Sequence, residues 1–447
     1  MKEQKEKSII WIIVSYSVPA AMTLFVTALY NIVDRIFIGN CSGNVALAAL
    51  SICYPLSFLV AAAGLFCNGG GRTIFEAYLK KGKEWKANHT FGMSLLMTVA
   101  SEIFLTIFLF VFMEEWLILF GVTESTYVYA KEYFEIMALG CVAQGVTLVL
   151  CDFIRIGGKI REEILILALG AVSNIVLDWI FVVELKQGVK GAAIASVMAQ
   201  MISALAASGY IMSKKSPIKI AKKFFIIDDR LCTRIVKGGF IAGLIQLLLG
   251  VVVIVYNRTL NQWGQTTAIS VYSVTASLLM FFMMPAGGIG QGVRPILSKY
   301  YEDGKEKQFL HTMGMAIGFS LLLTGLLWVL VELFPEQILE IFGADAAMMT
   351  IGVSAIRQNF IIAPAVSVIL ISISYFQAIQ KEKIAILLSF LWQIAVLVPF
   401  IYLLPMKRGL MGIFLARPIC EGIMAIVAII CIQQSYFNKK KKIAQIK

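Results

Sequence analysis

One constant offset organises this chain. Arg72 is matched by Arg294, and at the same spacing Tyr78 is matched by Tyr300 and Gly82-Lys83-Glu84 by Gly304-Lys305-Glu306. His89-Thr90 pairs with His311-Thr312, Gly92-Met93 with Gly314-Met315, Phe120-Gly121 with Phe342-Gly343, and Lys159 with Lys381. No gap interrupts the register, so the two halves are copies of one unit. Both copies are built from apolar runs. A membrane-spanning helix needs about 20 such residues. Runs that qualify lie near 9–38, 46–72, 91–113, 128–151, 162–183 and 191–212, and again near 236–257, 267–297, 312–334, 350–378, 384–404 and 410–434. The pattern predicts an all-α polytopic membrane protein with about twelve transmembrane helices, in two pseudo-symmetric six-helix lobes around a central cavity. The expected division is an N-terminal lobe over 1–213, a connector over 214–234, and a C-terminal lobe with a basic tail over 235–447. An even number of spans per copy lets both copies enter from one side, as parallel repeats about an axis along the membrane normal.

Charge supports this and excludes other classes. Only 15% of residues are charged and 59% are hydrophobic, against roughly 25% charged in soluble domains. The net charge of +12 would suggest nucleic acid in a soluble chain. Here the cations crowd into short loops, which fits the positive-inside rule. Lys80, Lys81, Lys83 and Lys86, then Arg155, Lys159 and Arg161, the connector, Lys299 with Lys305 and Lys307, Lys381 with Lys383, and the Lys439–Lys442 tail all fall on one side. That side is expected to be cytoplasmic, with both termini inside. The first apolar run is too long for a signal peptide and no small-residue cleavage pattern follows it. The eight cysteines include no CxxC pair and read as small buried hydrophobes. His89 and His311 have no metal-ligand neighbours. No His pair or Ser-His arrangement suggests an enzyme.

Two acids stand inside apolar runs, Asp34 in the first and Asp178 in the fifth. A carboxylate there is costly and usually marks an ion or substrate pathway. With the first helix leaving the membrane near Gly39, Asp34 lies about 7 Å deep, and Asp178 lies about 9 Å before the fifth helix ends near Glu184. Asn174 is four residues earlier, on the face of Asp178. Ser196, counted from a sixth helix starting near Lys190, lies at about 9 Å as well. Four oxygen-bearing side chains from three helices thus share one depth. The constant offset carries Asp178 to Phe400 and Asn174 to Val396, so the second copy has no counterpart of either. Such asymmetry suggests a cation site in one lobe only. The plainer alternative is that both acids sit in the polar interface.

Other candidates are weaker. Pro19 removes a backbone hydrogen bond within the first span and acts either as a hinge or as a passive kink. Arg417 and Glu421, four apart, read as an intrahelical ion pair. Asp152 beside Arg155 reads as a solvated pair. Glu102 has no assignable partner. The run Met280 to Pro285 suits promiscuous apolar ligands or lipid. Gly69-Gly70-Gly71 and Gly287-Gly288-Ile289-Gly290 lack a following GK[ST], so close helix packing explains them better than phosphate binding.

Pro19 followed by Tyr30-Asn31-Ile32-Val33-Asp34 and Phe37-Ile38-Gly39 resembles the first helix of multidrug and toxic compound extrusion (MATE) transporters. The two six-helix copies and the repeated Gly-Lys-Glu and Phe-Gly elements resemble the same family over essentially the whole chain. Within it the chain looks most like the DinF-like bacterial branch. That resemblance implies a cation site formed by Asp34, Asn174 and Asp178, with Ser196 where the family often has Thr. The NorM-like branch carries acids in the seventh and tenth helices; this chain has Gln246 and Asn257 in the seventh and no acid within the tenth. The resemblance implies a cation-coupled antiporter that exports lipophilic, often cationic compounds by alternating access. Candidate substrate-binding residues are Thr27, Tyr30, Asn31, Gln200 and Met284, and Pro19 is the candidate hinge. No cofactor is expected beyond a coupling ion. Protons are favoured, because two desolvated carboxylates can share one, while sodium at Asp34, Asn174 and Asp178 stays open. The expected setting is the bacterial cytoplasmic membrane, as a monomer with lipid and small molecules as partners. A flippase for a lipid-linked saccharide is the alternative; it would want a basic cavity for pyrophosphate, whereas the buried charges here are mainly acidic.

Overall fold

The computed structural model describes residues 9–446, without the side chains at 9, 10, 12, 16, 27 and 436–446. Helix α1 runs over Ile9–Cys53, α2 over Pro55–Lys80, α3 over Glu84–Val111 and the short α4 over Met113–Phe120. Then come α5 (Tyr127–Ile156), α6 (Ile160–Asp178), which continues as a wider π-helical stretch over Trp179–Glu184, and α7 (Gly188–Met212). The second copy holds α8 (Asp229–Glu302), α9 (Glu306–Leu333), α10 (Pro335–Ile341), α11 (Ala346–Phe360), α12 (Ala365–Ala378), α13 (Glu382–Phe390), α14 (Leu397–Leu403), α15 (Pro405–Arg408) and α16 (Leu410–Ile446). Among the described residues nine helical runs are long and apolar enough to cross a membrane. Two of them, Ile13–Lys80 and Asp229–Glu302, are long enough for two crossings each. They break at Gly43 and Gln265, where the backbone leaves helical geometry. The α11–α12 pair, bent by 44°, supplies one more span. The total is the twelve expected from the apolar runs.

The repeat is visible in the backbone as well as in the sequence. The offset from Arg72 to Arg294 also carries Lys80 to Glu302, Val111 to Leu333 and Ile156 to Ala378, each pair closing a helix. It carries the left-handed residues Gly43, Gly82, Gly121 and Gly158 to Gln265, Gly304, Gly343 and Gln380, all at positive φ. Turn geometry therefore persists in both copies, although Gln replaces Gly at two of the positions. At Gln265 the angles are φ 54° and ψ −155°, a region that side chains with a Cβ occupy at a cost of about 1–3 kcal/mol. Gln265→Gly is expected to stabilise the protein by about 1 kcal/mol. Thermal unfolding in detergent would test it, and an unchanged or lower midpoint would count against strain at this position.

The Cα packing divides the chain into two compact units, with the divisions inside α1 after Ala28 and inside α8 after Ser273. Of the described residues, one comprises 29–273 and 341–348, the other 9–28, 274–340 and 349–446. In the first unit α2, α3, α5, α6 and α7 pack together. The connector closes one end of this bundle. Ile218 joins a buried cluster with Phe75, Phe91 and Phe153, the Lys219 backbone N–H donates to Asn88 Oδ1 at 2.8 Å, and His89 Nδ1 donates to the Phe224 carbonyl at 3.1 Å. The histidine is thus a connector anchor.

Glycine lets α2 and α8 approach closely in this unit. A Cβ on Gly69 of α2 would lie 2.8 Å from the Gly239 Cα of α8, and one on Gly238 would lie 2.7 Å from the Gly70 Cα. The two helices cross backbone on backbone, the packing that small residues permit inside membranes. In the other unit Gly288 meets Ala21 in the same manner. The glycine runs are packing surfaces.

The first helix does not end near Gly39. It continues to Gly43, because the Asn40 side-chain amide donates to the Ile36 and Ile341 carbonyls, each at 2.8 Å, and holds the last turn. Helix α7 begins at Gly188, near the expected Lys190.

Candidate functional site

The first unit brings the predicted quartet together. Asp34, Asn174, Asp178 and Ser196 are 6%, 1%, 0% and 4% exposed, so all four are buried within the protein. Asn174 and Asp178 lie one turn apart on α6, just before the π-helical stretch. The Asn174 amide donates to Ser196 Oγ of α7 at 3.4 Å. The charges of Asp34 and Asp178 act on one another. Among the described residues both Asp178 oxygens, Asp34 Oδ1 and Asn174 Oδ1 have no hydrogen-bond partner. Unsatisfied buried acceptors cost roughly 1–3 kcal/mol each, and more when charged. Four such acceptors, from two helices, form a set that a proton, a cation or a donating water would satisfy.

A small cavity opens on this cluster. Tyr30, Asn31 and Asp34 of α1, Tyr133 and Met137 of α5, and Ser196 and Gln200 of α7 line it. It has room for a water molecule or a bare ion, and is far smaller than the several hundred Å³ that a drug-sized ligand needs. Of the predicted substrate contacts, Tyr30, Asn31 and Gln200 therefore belong to the ion-sized cavity. Met284 is buried in the other unit. The Thr27 side chain lies outside the described residues. At Pro19, α1 stays helical, and Thr23 Oγ1 donates to the Pro19 carbonyl at 3.2 Å.

Sequence reasoning missed Arg35. It is 3% exposed, beside Asp34 in the chain and electrostatically coupled to it. Its Nη1 donates to the Ser273 carbonyl at 2.9 Å, and its guanidinium lies 5.0 Å from the centre of the Tyr54 ring, a cation–π contact. The cluster therefore holds two acids and one fixed cation. The signal was present, since an arginine in the same apolar run as Asp34 is as costly as the acid.

Two further pairs form as read. Asp152 pairs with Arg155 and also belongs to a larger network. Its carboxylate accepts from Asn68 at 3.0 Å, Arg72 at 3.2 Å and Arg155 at 2.9 Å, and Arg155 lies 3.0 Å from the buried Glu163. This network ties α2, α5 and α6 together. In the second copy Arg294 Nη1 donates to Gln377 Oε1 at 3.1 Å at the corresponding positions. The Arg417–Glu421 pair is as expected: an ion pair of 3.6 Å, buried within α16.

Comparisons with known proteins give the family and the fold. The MatE family profile matches residues 19–180 and again 233–403, once in each copy. The multidrug export protein MepA of Staphylococcus saprophyticus is 24% identical over 421 residues, covering 93% of this chain and 92% of that protein. MepA of Staphylococcus aureus (strain N315) is 20% identical over 93% of this chain and 92% of its own length. Among solved structures, the inward-facing form of a multidrug resistance MATE family transporter of the MOP superfamily superposes with a TM-score of 0.88 at 20% identity, over 97% of this chain and 99% of that one. The MATE multidrug transporter DinF-BH, solved as a complex, gives a TM-score of 0.78 at 27% identity, over 97% and 98%. The DinF-like resemblance read from the sequence thus has a solved counterpart, and the chain belongs to the MatE family, a family of multi-pass membrane transporters rather than enzymes.

Proposed function

We propose that this protein is a multidrug efflux antiporter, in which an inward-moving cation is exchanged for a lipophilic, often cationic compound by alternating access. The observation that carries the reading is the buried Asp34–Asp178 pair with its unsatisfied oxygens, Asp34 lining an ion-sized cavity. Export by the MepA relatives supports the direction of transport. The coupling ion is a proton. Its arrival neutralises a carboxylate without needing a ring of ligands, and the cavity offers little room for a hydrated ion. Arg35 keeps a fixed positive charge at the cluster, so loading one proton leaves the local charge near zero and unloading it restores an anion.

Exchange in everted vesicles tests this. Adding a lipophilic cationic dye of the rhodamine class is expected to release protons through this protein without sodium. Exchange that requires sodium and ignores a pH gradient would overturn the proton reading and leave a sodium site on Asp34, Asn174, Asp178 and Ser196.

The proposal includes orientation in the bacterial cytoplasmic membrane, with the Lys214–Arg230 connector and both termini in the cytoplasm. An impermeant thiol reagent added to intact cells is expected to label Ser42→Cys and spare Ser216→Cys, in a background in which the native Cys41 and Cys232 have been replaced. Labelling of Ser216→Cys from outside would reverse the orientation.

A further inference from the structure

A second buried acid lies apart from the Asp34 cluster. Glu102 stands midway along α3, 0% exposed, and neither of its carboxyl oxygens has a hydrogen-bond partner among the described residues. The helices around it are shaped to admit it. A Cβ on Gly145 of α5 would lie 2.6 Å from Glu102 Cγ and 2.8 Å from Oε1, and one on Gly64 of α2 would lie 3.9 Å from the same oxygen. The titratable groups that feel its charge are the thiols of Cys67 on α2 and Cys141 on α5. No cation among the described residues pairs with it.

The second copy shows that this helix crossing does not need an acid. The constant offset carries Thr98, Glu102 and Gly145 to Ser320, Thr324 and Ser367. There Ser320 Oγ donates to Ser367 Oγ at 2.8 Å, Thr324 Oγ1 and Ser367 Oγ are 3.0 Å apart, and Thr324 Oγ1 donates to the Ser320 carbonyl at 2.8 Å. That closed, neutral set satisfies every partner. The first copy has a carboxyl in place of the middle hydroxyl and no side chain at 145. Packing alone does not explain the exchange, since it leaves two acceptors unsatisfied.

A polar row leads from the acid toward the Lys-rich end of α3. Thr98, Ser94 and Thr90 follow Glu102 at four-residue steps, each 0% exposed. Such spacing puts them on one stripe, about 5–6 Å apart. Ser94 Oγ and Thr98 Oγ1 have no partner among the described residues, and Thr90 Oγ1 donates to the Lys86 carbonyl at 2.8 Å. A hydroxyl both donates and accepts, so each member of the row can take a proton from one neighbour and give one to the next.

We propose that Glu102 is a second proton-exchanging carboxyl of the first copy, reached along Thr90, Ser94 and Thr98 and separate from the Asp34–Asp178 pair. An unpartnered carboxylate away from water carries a desolvation cost that a bound proton removes. The only bond that changes is the carboxyl O–H: the proton leaves to the Thr98 side of the row and onward to water, and returns the same way. The first copy then carries two independent proton sites, and the second copy neither.

Infrared spectroscopy of the purified protein, with no substrate present, tests this apart from the transport reading. E102T/G145S imports the second copy's satisfied set, so the crossing should still pack, and Glu102→Gln keeps the shape of the side chain. Wild type is expected to show a protonated-carboxyl C=O band that both variants lack. The band should fade as pH is raised and shift in D2O, and S94A/T98V should slow that shift severalfold. Spectra unchanged by both variants, a band indifferent to pH, or exchange untouched by S94A/T98V would each overturn the proposal.

Discussion

Asp178→Asn is expected to reduce efflux of a lipophilic cation to the level of cells without the protein, and Asp34→Asn to do the same, while both variants still reach the membrane. Asparagine has the shape of aspartate, and both Asp178 oxygens lack partners among the described residues. Removing the buried, unpartnered charge of Asp178 should not destabilise the fold, and at Asp34 the neighbouring Arg35 stays held by the Ser273 carbonyl and the Tyr54 ring. The loss would therefore lie in energy coupling. One proton entering in exchange for a monovalent cation moves no net charge, so the pH gradient drives the step, each pH unit supplying about 1.4 kcal/mol, equivalent to a roughly tenfold substrate gradient. A variant unable to bind the ion loses that gradient. Because the two acids act on one another, their effects should not add, and the double variant should be no worse than either single one. Dye accumulation in cells lacking their own pumps, with immunoblots of the membrane fraction, would measure this. Near-normal efflux by either variant at normal abundance would sink the shared ion site. Ser196→Ala should be milder, because it removes only the hydroxyl that accepts from Asn174.

The second large effect is structural. Gly239→Leu is expected to abolish the folded protein. A Cβ at Gly239 would run into the Leu65 carbonyl of α2 and lie 2.9 Å from the Phe66 carbonyl. Those are backbone atoms of a helix that cannot rotate aside. Overpacking typically costs about 1–3 kcal/mol where side chains can adjust; here α2 and α8 must separate, losing the contact between Gly69–Gly70 and Gly238–Gly239. Gly239→Ala should give an intermediate loss. Size-exclusion profiles of a fluorescent fusion in detergent would report both, and a monodisperse Gly239→Leu protein with wild-type thermal stability would show that the crossing is looser than these contacts require.

Much of the fold is legible from residues read in order. Spanning length follows from local hydrophobicity, and turn geometry from local residue chemistry. The twelve spans, the paired Gly-Lys-Glu turns and the doubled unit rest on such local signals. Helix ends are less legible. Apolar length alone stops the first helix near Gly39, whereas capping by Asn40 carries it to Gly43. The polar start of α3 is hidden for the same reason. That helix begins at Glu84, well before its apolar run, because His89 and Thr90 find partners within the bundle.

What the sequence determined by itself is the number of spans, their pairing in two copies, and the rarity of the acids within them. Only the tertiary structure decided that Asp34 and Ser196 line one cavity with Asn174 bonded to Ser196 and Asp178 within electrostatic reach of Asp34, that Arg35 lies beside them, and that Glu102 stands alone between two glycines. In a soluble helix the polar face points outward and the pattern reveals the rotation of each helix. Within a bilayer lipid is as apolar as the packed interior. Both faces of α3 or α6 then read alike, and the direction in which a lone carboxyl points follows from packing against neighbours that are distant in the chain.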